Sequence, residues 1–237
     1  MLTIPDNAKL LVIVAHPDDE LLRMGGTLHR LIDEKQAHVR VVILGEGITS
    51  RQQARAPEDC SRELERHREN IAVARQILGY QELSLHQLPD NRFDSLDLLE
   101  VVKIVEKEIA DFQPKNVITH HCGDLNIDHR ITFQAVLTSL RPQGAMAAVS
   151  LMTAETPSST EWSLNSGQQP FVPNLYIPIR PEDLEAKIRA MECYEFKRRP
   201  SPHPRSAEML RALAQWRGAC CGQPLAEAFC VVRGACC

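Results

Sequence analysis

Residues Lys9 to Glu20, KLLVIVAHPDDE, constrain the fold of this chain more than any other stretch. Leu10 to Ala15 is an uncharged run rich in branched residues, the pattern of a strand buried on both faces. It stops at His16-Pro17-Asp18-Asp19-Glu20. Pro17 fixes φ and lacks an N–H, so the chain must turn there. An imidazole and three carboxylates are thereby set where a buried strand runs out, the edge at which open α/β sheets hold their ligands. Packing gives no reason to gather three acids beside a histidine; a divalent cation does.

The segments that follow extend this start into a parallel sheet. Glu20 to Glu34 carries Leu21, Leu22, Leu28, Leu31 and Ile32 at helical spacing, and Gly25-Gly26 inside it predicts close helix–sheet contact beside the site. His38 to Leu44 is a second strand, completing a βαβ unit. Further strands are predicted at Leu83 to Leu88, Asn116 to Thr119, Ala147 to Ala154, Asn174 to Ile179 and Ala228 to Val232. Helices are predicted at Glu58 to Leu78, Leu96 to Phe112, Ile131 to Leu140, Pro181 to Tyr194 and Ala207 to Trp216. The expected architecture is a single α/β domain, residues 1–237, a Rossmann-like three-layer sandwich with a mostly parallel sheet. Its core is 9–140, and 141–237 completes the pocket. Glu155 to Phe171, rich in Ser, Thr, Gln and Pro, is long enough to predict a lid or specificity loop.

Composition excludes several classes. A net charge of −4 with no block of like charge argues against nucleic-acid or anionic-membrane partners. No apolar run reaches the length of a membrane span, and the first residues lack a secretory layout, so a cytoplasmic protein is expected. The eight cysteines include no CxxC, and five lie in the last 18 residues, so free thiols are expected. The absence of G-x-G-x-x-G speaks against a dinucleotide cofactor.

A second chemical stretch, His120-His121-Cys122-Gly123-Asp124-Leu125-Asn126-Ile127-Asp128-His129, follows a later strand. It reaches the same sheet edge as His16. Two imidazoles and a carboxylate suit Zn²⁺, with Fe²⁺ as the alternative, and a spare carboxylate can take a proton from water. Between the two histidines of the pair, His121 is favoured for the site. His203, held between two prolines, is a further candidate. His29, His38, His67 and His86 match no pattern and are expected at the surface.

These residues resemble the PIG-L/LmbE-like deacetylases. His16 to Glu20 is similar to the AHPDDE signature and Asp124 to His129 to the second motif. Gly25-Gly26-Thr27-Leu28, the Arg51 loop and Leu88-Pro89-Asp90-Asn91 extend the likeness over most of 9–140. The resemblance implies that His16, Asp19 and His129 bind the metal and that Asp18 is the general base activating water there. It implies removal of N-acetyl groups from N-acetylglucosamine-type substrates, with Arg51, Asp90, Asn91 and the 155–171 loop shaping the sugar pocket, and self-association is common in such families. Asn126 stands where better-known members carry a histidine thought to stabilise the oxyanion. An amide donates a hydrogen bond but cannot become a cation, so that role is weakened or moved to His121, His203 or Arg51. Asp128 is left to orient His129 or to hold Asn126. A metal amidase releasing a larger acyl group, and a non-catalytic sugar-binding protein, are the alternative readings.

Overall fold

The computed structural model describes residues 4–51, 57–164 and 169–234. Seven strands form one sheet in the order β3-β2-β1-β4-β5-β7-β6. They are β1 (Lys9–Val14), β2 (His38–Gly45), β3 (Glu82–Leu88), β4 (Asn116–His120), β5 (Ser150–Ala154), β6 (Leu175–Pro178) and β7 (Ala226–Arg233). The first five run parallel, and β7 lies antiparallel between β5 and β6. The mostly parallel α/β sandwich expected from the sequence is therefore observed.

Among the described residues six α-helices cover the two faces: α1 (Asp19–Lys35), α2 (Ser61–Leu78), α3 (Leu98–Phe112), α4 (Ile127–Ser139), α5 (Pro181–Cys193) and α6 (Ala207–Cys221). Alternation along β1 explains the layering. Leu10, Val12 and Val14 enter the core beneath α1, α2, α5 and α6, whereas Leu11 and Ile13 enter the one beneath α3 and α4. Successive strand residues point to opposite faces, so a strand apolar at every position needs helices on both sides. The strand order reverses direction at β1, with β2 on one flank and β4 on the other. That crevice is the topological switch point of the sheet.

The two largest boundary differences from the sequence reading each have a local reason. Helix α4 starts four residues before the predicted Ile131, because the Asn126 side chain accepts from Asp128 N at 2.8 Å and caps the helix there. His129 therefore sits in a first helical turn. Helix α6 runs past the predicted Trp216 to Cys221 and ends at Gly222 with φ 71°. The close helix–sheet contact predicted at Gly25-Gly26 is made with β7, and α5 packs against the same pair. A Cβ on Gly26 would lie 2.8 Å from Ile179 Cδ1, and Glu227 of β7 accepts from Gly26 N and Thr27 N while pairing with Lys187 of α5 at 2.6 Å.

Candidate active site

The carboxyl ends of β1 and β4 deliver the two histidine motifs to one point. His16, Asp18, Asp19, Asp90, Asn126 and His129 all face a pocket of about 280 Å³. At its floor, Asp19 Oδ2 lies 3.5 Å from His16 Nδ1 and 3.3 Å from His129 Nε2. His16, Asp19 and His129 thus offer ligand atoms within 4.8 Å of one another, and all three are buried.

Both imidazoles are aimed from behind. The far nitrogen of His16, Nε2, is 2.9 Å from Asp128 Oδ2 and 3.3 Å from Asp90 Oδ1. The far nitrogen of His129, Nδ1, is 3.0 Å from Asp124 Oδ1, at an ion-pair separation bent away from a straight hydrogen bond. Carboxylate–imidazole pairs of this kind fix which nitrogen is presented to a metal. His16, Asp90 and Asp128 also form a possible metal set, but there His16 would use the nitrogen already hydrogen-bonded to Asp128.

The electrostatics fit a cation at this point. Burial works against a charged His16, yet hydrogen bonds to Asp128 and Asp19, with the fields of Asp19 and Asp90, push its pKa up to about 10. Burial would raise the Asp19 carboxyl, and the charges of His129 and His120 outweigh it and hold it well below the usual range. Asp124 is likewise held down against its burial, chiefly by His129. An excess of buried carboxylate makes an imidazole take up a proton unless another positive charge is supplied. Two nitrogens and an oxygen around that point are a donor set suited to a divalent transition metal.

Asp18 occupies an unusual backbone state, φ 96°, in the left-handed region that a side chain rarely adopts. Although it precedes α1, its side chain does not cap the helix. Instead Asp18 Oδ2 accepts from Arg205 Nη1 at 2.7 Å, while Oδ1 lies 3.9 Å from Lys197 Nζ. The neighbouring Glu20 accepts from Asp18 N and Tyr194 Oη, and burial, reinforced by Asp18, pushes its pKa up to about 8. The adjoining loop comes close at Gly47, φ 76°, where an added Cβ would lie 2.6 Å from Pro17 Cδ.

Asp90 and Asn91 enter the pocket as expected, in a loop tied to the floor. Asp90 accepts from Ser50 N at 3.1 Å, and Asn91 Oδ1 accepts from Asn126 Nδ2 at 2.7 Å. The side chain of Arg51 lies outside the described residues. Asp128 departs from both roles expected of it. Its carboxylate neither orients His129 nor holds Asn126; it binds His16 and accepts from Asn91 N at 2.6 Å and Phe93 N at 2.9 Å.

Two expected histidines do not line the pocket. His121 turns to the Gln169 carbonyl at 2.9 Å and packs edge-on against Phe171. His203 packs edge-on against Trp162, and its Nδ1 accepts from Arg205 N at 3.1 Å. His120, set aside in the sequence reading, lies directly under the floor. Its ring stacks 3.9 Å from that of His129, and Nε2 accepts from Ala15 N at 2.8 Å. Burial and the nearby Arg23 hold its pKa well below the ordinary value. His67 is also buried, edge-on to Tyr194, and not at the surface.

The 155–171 segment is not a loose lid in its first half. Thr156 and Ser158 to Thr160 are buried, and the Ser159 and Thr160 hydroxyls donate to Asp124. Residues 165–168 lie outside the described part. The site residues that sequence reasoning missed are Asp124 as the brace of His129, Ser159, Lys197 and Arg205. Asp124 sat inside a recognised motif; the others had no spacing signal.

Together these features define an α/β protein whose sheet edge carries a buried His/Asp cluster able to hold a metal ion. Residues 11–140, more than half the chain, match the family described as PIG-L, GlcNAc-PI de-N-acetylase, and the protein belongs to that family. Solved structures of similar fold include N,N'-diacetylchitobiose deacetylase from Pyrococcus horikoshii, at 20% identity and TM-score 0.73, over 95% of this chain and 84% of that one. The zinc-inhibited form of teicoplanin deacetylase matches at 16% identity and TM-score 0.69, over 93% and 96% of the two chains. The 4-carboxy-2-hydroxymuconate hydratase of Pseudomonas putida KT2440 matches at 18% identity and TM-score 0.73, over 97% and 98%. At such identities the likeness is one of fold. No curated protein sequence matches the chain, and no helix among the described residues is long and apolar enough to cross a membrane.

Proposed function

We propose that this protein is a metal-dependent N-deacetylase that hydrolyses the acetamide of an N-acetylated amino sugar or its conjugate. The observation that carries the reading is the convergence of His16 Nδ1, His129 Nε2 and Asp19 Oδ2, each histidine braced on its far nitrogen by a buried aspartate. Membership of a de-N-acetylase family and the deacetylases among the structural neighbours support it. His16, Asp19 and His129 would hold Zn²⁺ or Fe²⁺, which when bound polarises an amide carbonyl and acidifies water.

The remaining work falls to the chain. Asp18 faces the pocket with Oδ2 held by Arg205, leaving Oδ1 to take the proton of the attacking water and pass it to the departing amine. Water adds to the carbonyl carbon, the C–N bond breaks, and acetate and a free amine result. The Asn126 amide uses one N–H on Asn91, and its second is the donor we assign to the developing oxyanion. Asp90 and Asn91 would contact the sugar.

The test is amine release from a panel of N-acetylated amino sugars and conjugates, comparing metal-loaded wild type with Asp18→Asn. A loss of about 10²- to 10⁴-fold in the variant, with its metal retained, supports the assignment. Wild type that binds no metal would sink it. A second reading keeps the same centre and enlarges the acyl group. It draws on Leu125 and Trp162, pocket residues that are 50% and 45% exposed and that an acetyl group would not cover. Faster hydrolysis of a longer-chain N-acyl amide than of the acetamide, read as amine release, would establish it.

A further inference from the structure

One wall of the pocket has a charge that an uncharged acetamido sugar gives no use for. Lys197 and Arg205 both line it, with side chains 14% and 20% exposed. They belong to the segment 197–205, KRRPSPHPR, which holds four cations and no acid in a chain of net charge −4. The segment is held by its own turns: Lys197 N donates to Tyr194 O at 2.8 Å, His203 N to Pro200 O at 3.1 Å and Ser206 N to His203 O at 2.8 Å.

Arg205 is fixed in two directions, through Nη1 to Asp18 at 2.7 Å and Nε to Ser158 Oγ at 2.7 Å. Lys197 Nζ, at 3.9 Å from Asp18 Oδ1, is beyond hydrogen-bond reach of it. Lys197 also lies in the field of Asp90, and it donates a hydrogen bond to neither carboxylate. Arg205 is also the shared wall with a neighbouring groove of about 490 Å³ that Arg198 and Arg199 line. Glu192, Glu195 and Glu208 line it too, and of these Glu195 is already engaged by Arg66 at 2.8 and 2.9 Å. A planar guanidinium with donors to spare beside an ammonium is the pairing that receives phosphate or carboxylate oxygens.

We propose that the substrate carries an anionic group, a phosphate or a carboxylate, which binds Lys197 and Arg205 and points toward the Arg198–Arg199 groove. This rests on the deacetylase reading for the sugar and adds the charge of what is attached to it. The probes are N-acetylglucosamine 1-phosphate, the carboxymethyl glycoside of N-acetylglucosamine and the neutral methyl glycoside, in both anomers. Metal-loaded wild type and Lys197→Met are compared by kcat/KM, and binding of the same probes is measured by calorimetry.

The expected result is a preference of about 10- to 100-fold for one or both anionic probes, the scale of a charge-assisted hydrogen bond. Lys197→Met should bring that ratio toward one, and added salt should shrink it. Preference for the phosphate or for the carboxylate identifies the group. Equal kcat/KM and equal Kd for charged and neutral probes in wild type would overturn the proposal and leave the two cations as a counter-charge to Asp18 and Asp90. If no probe is turned over, the deacetylase reading fails, while the ratio of Kd values still decides the anion site.

Discussion

The floor and the wall of the pocket are built on different plans. The floor comes from the ends of β1 and β4 and the first turns of α1 and α4, so its residues sit in two short motifs. The wall comes from Ser158, Ser159, Trp162, Lys197 and Arg205, scattered through irregular chain between β5 and α6. The floor is acidic and buried; the wall is cationic, hydroxylic and partly exposed. A parallel sheet fixes its floor rigidly because each strand end is anchored by pairs of neighbours, whereas a loop-built wall can change without disturbing the core.

Substitutions in the floor should strike hardest. His129→Ala removes one of the three proposed ligands, so bound metal and amine release should both fall to background, read by metal analysis beside the assay. Full metal occupancy in that variant would show that the His16–Asp90–Asp128 set holds the ion instead. Asp124→Asn and Asp128→Asn remove braces and leave all three proposed ligands. Each should weaken metal affinity by about 10- to 100-fold, measured by competition with a chelator. In the wall, Trp162→Ala should raise KM by less than about tenfold with kcat little changed, the signature of lost uniform binding. A large drop in kcat would place Trp162 with the floor.

The smallest effect belongs to neither region and calibrates both. Asp183 at the start of α5 accepts from Arg180 N at 2.8 Å and pairs with His29 of α1 at 2.7 Å. Burial opposes ionisation there, but Arg180 and His29 outweigh it and lower the carboxyl pKa. A carboxylate with a depressed folded-state pKa stabilises above its unfolded value and loses that contribution as pH falls. Asp183→Asn should therefore cost about 1–2 kcal/mol in urea unfolding at neutral pH and progressively less through the acid range. A constant penalty across pH would refer the effect to packing.

The floor could be read from residues alone because strand patterning and a proline stop give position as well as identity. Leu10 to Ala15 could only be a doubly buried strand, and what followed it had to stand at the sheet edge. The partners of those residues were harder to read. Asp128 was expected to serve His129, its neighbour in sequence, but the start of α4 points its carboxylate across to His16 and the 91–93 backbone. Helix geometry decides that, and the helix begins four residues ahead of its apolar periodicity because Asn126 caps it. His121 and His203 drew attention as histidines near chemistry, yet each satisfies a local contact. Arg205 had no periodicity to reveal it; only the turns of 197–206 bring it to Asp18.

Asp128 ties together two traits that selection would otherwise tune apart. One carboxylate latches the loop carrying Asn91 and steadies the ring of His16. A lineage exploring new sugars through residues 89–93 would disturb that latch, and the disturbance would surface as poorer metal retention. Mutations there should be strongly epistatic, acceptable in some backgrounds and ruinous in others. In the wall, Ser159 is tied to Asp124 and Arg205 to Asp18, so drift in specificity has its freer path through Trp162 and Lys197.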